Sequence, residues 1–593
     1  MSHNYLLPVL FFYAFAVLIS ACGSPAAESV PALERPPNIL LIMTDDQGWG
    51  DLGFHGNDSI DTPVLDSLAR TSIRFDRFYV SPVCAPTRAS LLTGRYHFRT
   101  GTSFVTARRE VMRTEEVTIA EILQRHQYAT GLFGKWHNGA QYPNDPLAQG
   151  FDTFFGFTAG HWNNYFNTNL MDGRTAVPTT GFITDVLTER AVGFMTDHRD
   201  EPFFCYVPYN APHGPFQVPD RYFDKYKAMG LTDKNAAVYG MVDNVDDNVG
   251  RLLRTLDELG LKENTIVVFL TDNGPNGDRF NGGMRGWKAS VHEGGSRVPL
   301  FISWPGTLTG GREVKELAAH IDLLPTLLDL AGISLPDSLS LDGRSLVPLL
   351  KGQEIAWPER SLYTTHMSWD TDKVVGALRN NSYRMVVEGN GRTQLYNMQK
   401  DPGETTDLAT DFPKTADSLR LEFDTWLADA RSGGLQPPPI TLGNPNAPET
   451  FLPAPEASLE GSVHFKGDGW ANDWITGWKT AGDKVSWPVK IDRPATYQLT
   501  LYYNLPETGS SPALQISLGD QTMRSTINQA FPGQVIPSPD RISRGEVYEK
   551  SWGEWPVTLE VPAAGISMLE IVLQHEIMDA GFELEGVKVN AEH

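Results

Sequence analysis

The sequence predicts an α/β fold in which a mostly parallel sheet is flanked by helices, followed by a C-terminal all-β sandwich or jelly roll. Two patterns carry this expectation. Residues 38–43 (Asn-Ile-Leu-Leu-Ile-Met), 203–207 and 265–270 are short continuous apolar runs, as expected of parallel strands covered on both faces. Between them, residues 119–123 and 249–259 carry helical spacing, which suits crossover helices. The second pattern lies beyond a Pro/Gly-rich stretch at 431–456, where the periodicity changes to strict alternation. Tyr497, Leu499, Leu501 and Tyr503 share a face, as do Leu514, Ile516 and Leu518, and Leu569, Ile571 and Leu573. A chain of 593 residues exceeds what a single core usually serves, so more than one domain is expected.

In chain order, residues 6–21 form an uncharged, mostly apolar run, short for a membrane span. It ends Ile19-Ser20-Ala21-Cys22-Gly23-Ser24, which resembles a bacterial lipobox with Cys22 as the lipidated residue, although residues 1–5 contain no Lys or Arg. The alternative is an ordinary signal peptide cleaved at the small residues. Both imply export, to the periplasm or the cell surface, and the first implies a lipid anchor. Residues 23–36 read as a Pro/Ala/Glu-rich tether, 37–430 as the catalytic domain, 431–456 as a linker and 457–593 as the accessory β domain.

The composition is that of a soluble globular chain, 41% hydrophobic and 20% charged. The net charge of −23 argues against a nucleic-acid partner. It also means that an anionic substrate needs a local positive cluster, which can prevail because salt screens the global field over about 10 Å. Three cysteines give no disulfide framework. Cys22 belongs to the targeting segment, and Cys205 lies in an apolar strand and reads as a packing residue.

Each apolar strand runs directly into polar residues: Thr44-Asp45-Asp46, Tyr209-Asn210-Ala211-Pro212-His213 and Thr271-Asp272-Asn273. Ligands of open α/β sheets bind beyond the carboxyl ends of the strands, so these clusters should converge. Asp45, Asp46, Asp272 and Asn273 are hard oxygen donors, a set that selects Ca²⁺ or Mg²⁺ over zinc. Gly134-Lys135-Trp136-His137-Asn138-Gly139 places a lysine and a histidine two apart in a strand-like turn, expected on the same side.

The remaining candidate is Cys84, in Cys84-Ala85-Pro86-Thr87-Arg88 followed by Ala89-Ser90-Leu91-Leu92-Thr93-Gly94-Arg95. Pro86 suits a helix start, so Cys84 should lie at a helix N-terminus that favours negative charge, with Arg88 one turn on. A nucleophile beside a guanidinium suits sulfate or phosphate. This run resembles the signature of the type I sulfatases of the alkaline-phosphatase-like superfamily. The resemblance covers about residues 36–430, including Leu395-Tyr396-Asn397-Met398 and Asp401-Pro402-Gly403-Glu404.

The resemblance implies that a maturing enzyme oxidises Cys84 to Cα-formylglycine, whose aldehyde hydrate is the nucleophile. It implies metal ligation by Asp45, Asp46, residue 84, Asp272 and Asn273, with calcium the usual ion and magnesium the alternative. Arg88, Lys135 and Lys288 would offset charge on the sulfuryl oxygens. His213 with Lys288 would protonate the leaving oxygen, and His137 would help remove a proton from the remaining hydroxyl. The expected activity is hydrolysis of a sulfate ester on a sulfated carbohydrate.

Two other readings are weighed against it. A phosphomonoesterase or phosphodiesterase of the same superfamily generally carries Ser or Thr as nucleophile and zinc held by histidines, unlike Cys84 and the oxygen-only set. A non-catalytic glycan-binding lipoprotein would not be expected to keep every carried-over position. The C-terminal region holds Trp470, Trp474, Trp478, Trp487, Trp552 and Trp555, six of the 14 tryptophans, which suit either sugar stacking or core packing.

Overall fold

The computed structural model describes Met1 and residues 35–592, apart from 337, 369–370, 471 and 578–580. The targeting segment with Cys22 and most of the tether lie outside the described residues. Among the described residues no helix is long and apolar enough to cross a membrane.

A ten-stranded mixed sheet organises the first half of the chain. Its centre is five contiguous parallel strands, four of which carry the polar ends discussed below: β1 (Asn38–Thr44), β2 (Ala129–Lys135), β3 (Phe203–Pro208) and β4 (Thr265–Thr271), with Thr153–Phe157 as the fifth beside β2. β1 lies between β4 and β3 with Met43 opposite both Leu270 and Pro208, and β2 continues the sheet beyond β3. Leu300–Ser303 adds antiparallel to β4, and two further antiparallel strands extend the far edge. The sheet is therefore mixed, with its parallel pairings concentrated where the polar strand ends lie.

Alternate residues of the central strands feed two cores. Ile39, Leu41 and Met43 pack with Leu132, Tyr206 and Val268 on one face, under the helices Ile119–Arg125 and Leu323–Leu330. Leu40, Ile42, Cys205, Val207 and Phe269 pack on the other, under Ile183–Asp197 and Asp233–Glu258. Burial on both faces explains why the strands read as continuous apolar runs. Cys205 is fully buried and behaves as a packing residue.

Residues 362–397 form a separate four-stranded antiparallel sheet covered by the helix Pro413–Ala430. This sheet leaves no separate signal in the sequence, because its strands are short and follow the main body without a change of composition.

The C-terminal region packs two sheets over one apolar core. Its pairings are antiparallel apart from the short parallel pairing of Ile440–Leu442 with residues 489–491. Every residue of the three alternating sets is essentially buried, from Tyr497 at 0% to Leu573 at 1% exposure. The Pro/Gly-rich stretch is more than a connector: Ile440–Leu442 and Glu449–Pro453 each join one sheet of the sandwich. Residues 36–593 form one compact unit.

Candidate active site

The carboxyl ends of β1, β2, β3 and β4 meet in one buried cluster. Asp45 and Asp46 follow β1, and Asp272 and Asn273 follow β4 directly alongside, with the Asp272 amide donating to the Thr44 carbonyl at 3.0 Å. Lys135 is the last residue of β2, and His213 lies on the loop leaving β3. Helix α1 (Cys84–Thr93) enters from the side with every residue buried, Cys84 in its first turn and Arg88 one turn on. Lys288 arrives on the loop after β4, and the amide of the neighbouring Ala289 donates to the Pro82 carbonyl at 2.8 Å.

The charged groups pair closely. Lys135 Nζ lies 2.5 Å from Asp45 Oδ2. Arg88 Nη2 lies 2.9 Å from Asp272 Oδ2 and 3.4 Å from Asp45 Oδ2. Lys288 Nζ lies 2.7 Å from Asp46 Oδ1, and His213 Nε2 lies 3.8 Å from Asp46 Oδ2. Asn273 Nδ2 donates to Asp46 Oδ1 at 2.9 Å. One ligand atom each of Asp45, Cys84 and Asp272 fall within 4.8 Å of one another, as do those of Asp45, Asp46 and His213. The sequence-predicted residues thus gather in one neighbourhood, with His137 two residues beyond Lys135 on the turn that leaves β2.

His137 gets there by another route than strand alternation. β2 ends at Lys135 and His137 adopts φ 62°, in the left-handed region, so the expected same-side projection is not what places it. Its Nε2 sits 2.8 Å from the Val105 carbonyl, which can only accept, so Nε2 carries the proton. The buried Nδ1 then holds a lone pair with no partner. Only glycine at 160 allows this ring position, because a Cβ there would overlap the imidazole.

Burial pushes the Asp45 carboxyl up, but Lys135, His213 and Arg88 together overrule it and hold Asp45 well below the usual range. Asp46 is held low in the same way, against its own burial and chiefly by Lys288. Burial and the Asp45 charge push Asp272 up. The Cys84 thiol is raised by burial, against the pull of Lys135 and Lys288. Burial and Lys135 push His137 well below its ordinary value, and burial and Lys288 lower His213.

The residues fit a hard divalent cation. Asp45 Oδ1 and Asn273 Oδ1 are buried without hydrogen-bond partners, an arrangement that costs stability unless something pairs with them. The charges agree. Asp45, Asp46 and Asp272 balance Arg88, Lys135 and Lys288, so a divalent cation leaves the cluster positive for an anionic ester.

Several supporting residues leave no signal in the sequence. Arg279 binds both Asp51 oxygens and donates from Nη2 to the Asp46 carbonyl at 2.9 Å, and Asn276 Nδ2 reaches Asp46 Oδ2 at 3.1 Å. These contacts fix Asp46 at φ 64°. Arg384, fully buried in the four-stranded sheet, binds Glu293, Glu404 and the Val291 carbonyl, and so ties the Lys288 loop to the Asp401–Glu404 turn. Glu404 lies in a run that the sequence singles out, but only the fold reveals its arginine partner.

Fold and cluster together define an α/β protein whose strand ends gather a buried carboxylate and cation cluster that fits a divalent cation and an oxyanion. Comparison with known proteins narrows the class. A sulfatase family model matches residues 37–333, and the C-terminal model of N-sulphoglucosamine sulphohydrolase matches residues 283–430. Mouse N-acetylgalactosamine-6-sulfatase is 35% identical over 379 residues, covering 58% of this chain and 71% of that protein. Human arylsulfatase A is 34% identical over 437 residues, covering 64% of this chain and 84% of that one. The crystal structure of Ps i-CgsB in complex with k-i-k-neocarrahexaose superposes with a TM-score of 0.64 at 30% identity, covering 68% of this chain and 95% of that one. The chain belongs to the sulfatase family, within the alkaline-phosphatase-like fold, and is a sulfuric ester hydrolase.

Proposed function

We propose that the protein hydrolyses a sulfate ester on a sulfated carbohydrate or polysaccharide fragment, using a Cα-formylglycine derived from Cys84 and a calcium ion. The observation that carries the reading is residue 84 in the first turn of α1, bracketed by Asp45 and Asp272 and by the cations that neutralise them. A sugar substrate is supported by the mouse N-acetylgalactosamine-6-sulfatase likeness and by the carbohydrate-bound neighbour structure.

Asp45, Asp46, Asp272, Asn273 and residue 84 would hold the cation, which supplies charge stabilisation to the sulfuryl oxygens. The aldehyde hydrate at 84 would supply the attacking hydroxyl, and its formation requires a maturing enzyme as partner. Arg88 is locked by Asp272 and the Lys135 carbonyl, so its charge is preorganised and costs no reorganisation during reaction. Lys135 and Lys288 hold two further charges on opposite carboxylates, where the sulfate would sit between them. His137, with its proton on Nε2, keeps Nδ1 free to take a proton from a hydroxyl at residue 84. His213 has Nδ1 on the Gly214 carbonyl at 2.7 Å, so Nδ1 carries a proton and Nε2 is left to face the leaving oxygen. It would protonate that oxygen from its imidazolium form, which burial and Lys288 oppose and Asp46 at 3.8 Å favours.

Export and anchoring through Cys22 form part of the same reading and rest on residues 6–24 alone. The test is parallel assay of natively matured protein on 4-nitrocatechol sulfate, on 4-nitrophenyl phosphate and on sulfated oligosaccharides, beside a Cys84→Ala variant. Sulfate release that disappears in the variant supports the reading. Preference for the phosphate ester, or sulfate release that survives the variant, overturns it.

A further inference from the structure

The C-terminal sandwich meets the segments that carry the active-site histidines at several points, and one of them is a tight loop at residues 467–474. The Asp473 carboxylate accepts from the backbone amides of Gly467, Gly469 and Trp474, which makes this loop a self-braced turn. Two contacts dock the turn on the catalytic body. Thr106 Oγ1 donates to the Gly469 carbonyl at 3.4 Å, and Asn472 Nδ2 donates to the His161 carbonyl at 3.0 Å.

Both anchors adjoin the active-site histidines. Thr106 follows Val105, whose carbonyl holds His137. His161 follows Gly160, on which His137 rests, and its ring centre is 5.9 Å from that of His213. The sandwich secures this segment further on: Arg544 Nη1 donates to the Asn163 carbonyl at 2.9 Å, and Asn164 Nδ2 donates to Glu549 at 2.6 Å.

Two side chains at this junction are not accounted for by packing. His161 is 6% exposed, yet neither ring nitrogen makes a well-formed hydrogen bond, with Asn163 its polar neighbour. A buried imidazole in that state costs stability unless a ligand pairs with it. Trp470, between the two anchors, is 46% exposed, whereas Trp474, Trp478 and Trp487 are buried. A large indole held out to solvent on a braced loop presents a flat apolar face of the kind on which sugar rings stack.

We propose that this loop completes a sugar subsite beside the sulfate position, His161 hydrogen-bonding the sulfated sugar and Trp470 stacking on an adjoining sugar of the chain. The proposal rests on the carbohydrate-sulfatase reading above. It makes the accessory sandwich part of the substrate site and assigns the enzyme a preference for oligosaccharides over isolated sulfated rings.

The experiment compares kcat/KM for a panel of sulfated carrageenan and glycosaminoglycan oligosaccharides with kcat/KM for 4-nitrocatechol sulfate. Trp470→Ala lowers the oligosaccharide-to-aryl ratio about tenfold, mainly through KM, and Trp470→Phe restores part of it. His161→Gln, which keeps hydrogen-bonding capacity, retains more of the oligosaccharide rate than His161→Ala, and thermal melts of both variants report folding. A ratio that Trp470→Ala leaves unchanged overturns the subsite and leaves the sulfatase reading standing. Parent protein that desulfates the aryl ester but no oligosaccharide overturns the sugar reading and the subsite together.

Discussion

The strand-end site and the C-terminal sandwich are built on opposite principles. In the sandwich, alternation on paper becomes burial in space: Leu499, Leu514, Ile516 and Leu569 are all fully enclosed, and Trp487 is buried with its indole N–H on the Pro453 carbonyl. At the strand ends, carboxylates, guanidinium and amines are buried together, Asp46 and His137 adopt left-handed backbone conformations, and Asp45 Oδ1 and Asn273 Oδ1 lack partners. Such local violations are held in place only because the surrounding fold over-determines them, and they concentrate where a molecule works. The loop at Trp470, one of the places where the sandwich meets the catalytic body, shares something of this character, with Asn472 at φ 71°.

The largest expected effect separates the two regions most clearly. Cys84→Ala abolishes sulfate release, a loss of at least about 10⁴-fold in kcat, while circular dichroism and the melting temperature stay near those of the parent protein. Retained turnover breaks the claim that the site is centred on residue 84. Next, chelation of the metal or Asp272→Asn lowers kcat on the order of 10²–10³-fold. Added calcium raises the melting temperature of the chelated protein by mass action, and Asp272→Asn weakens that response.

In the sandwich the order of effects inverts. Trp487→Ala leaves a large cavity and costs about 3–5 kcal/mol in denaturant unfolding, yet turnover of the aryl sulfate per folded molecule remains within about twofold. A matching loss of kcat would show that the two regions are mechanically coupled well beyond the loop at Trp470. The smallest effect is Ile566→Thr, at a side chain 80% exposed, which shifts stability by less than about 0.5 kcal/mol.

The difference between the regions also decides what can be read from the chain alone. Apolar runs announce the central strands, and the polar residues that follow each run announce the site, because strand ends converge in an open sheet. Cys84 at a helix start with Arg88 one turn on follows from Pro86 and local geometry. Long-range pairings leave no such trace. Arg279 on Asp51, Arg384 on Glu293, and Asn472 on His161 join residues between 91 and 311 positions apart. His137 is legible as a residue but not as a geometry, since its backbone turns left-handed and its ring rests against Gly160 across the site. The strands at Ile440–Leu442 and Glu449–Pro453 are masked by the prolines around them.

The central claim is that the working group at position 84 is an aldehyde made from cysteine. Mass spectrometry of the peptide spanning residue 84, taken from active, natively produced protein, tests it most directly. The expected residue mass is lower than that of cysteine by the difference between a thiol-bearing methylene and an aldehyde, with reactivity toward hydrazides. An intact, alkylatable thiol at residue 84 in fully active protein would contradict it.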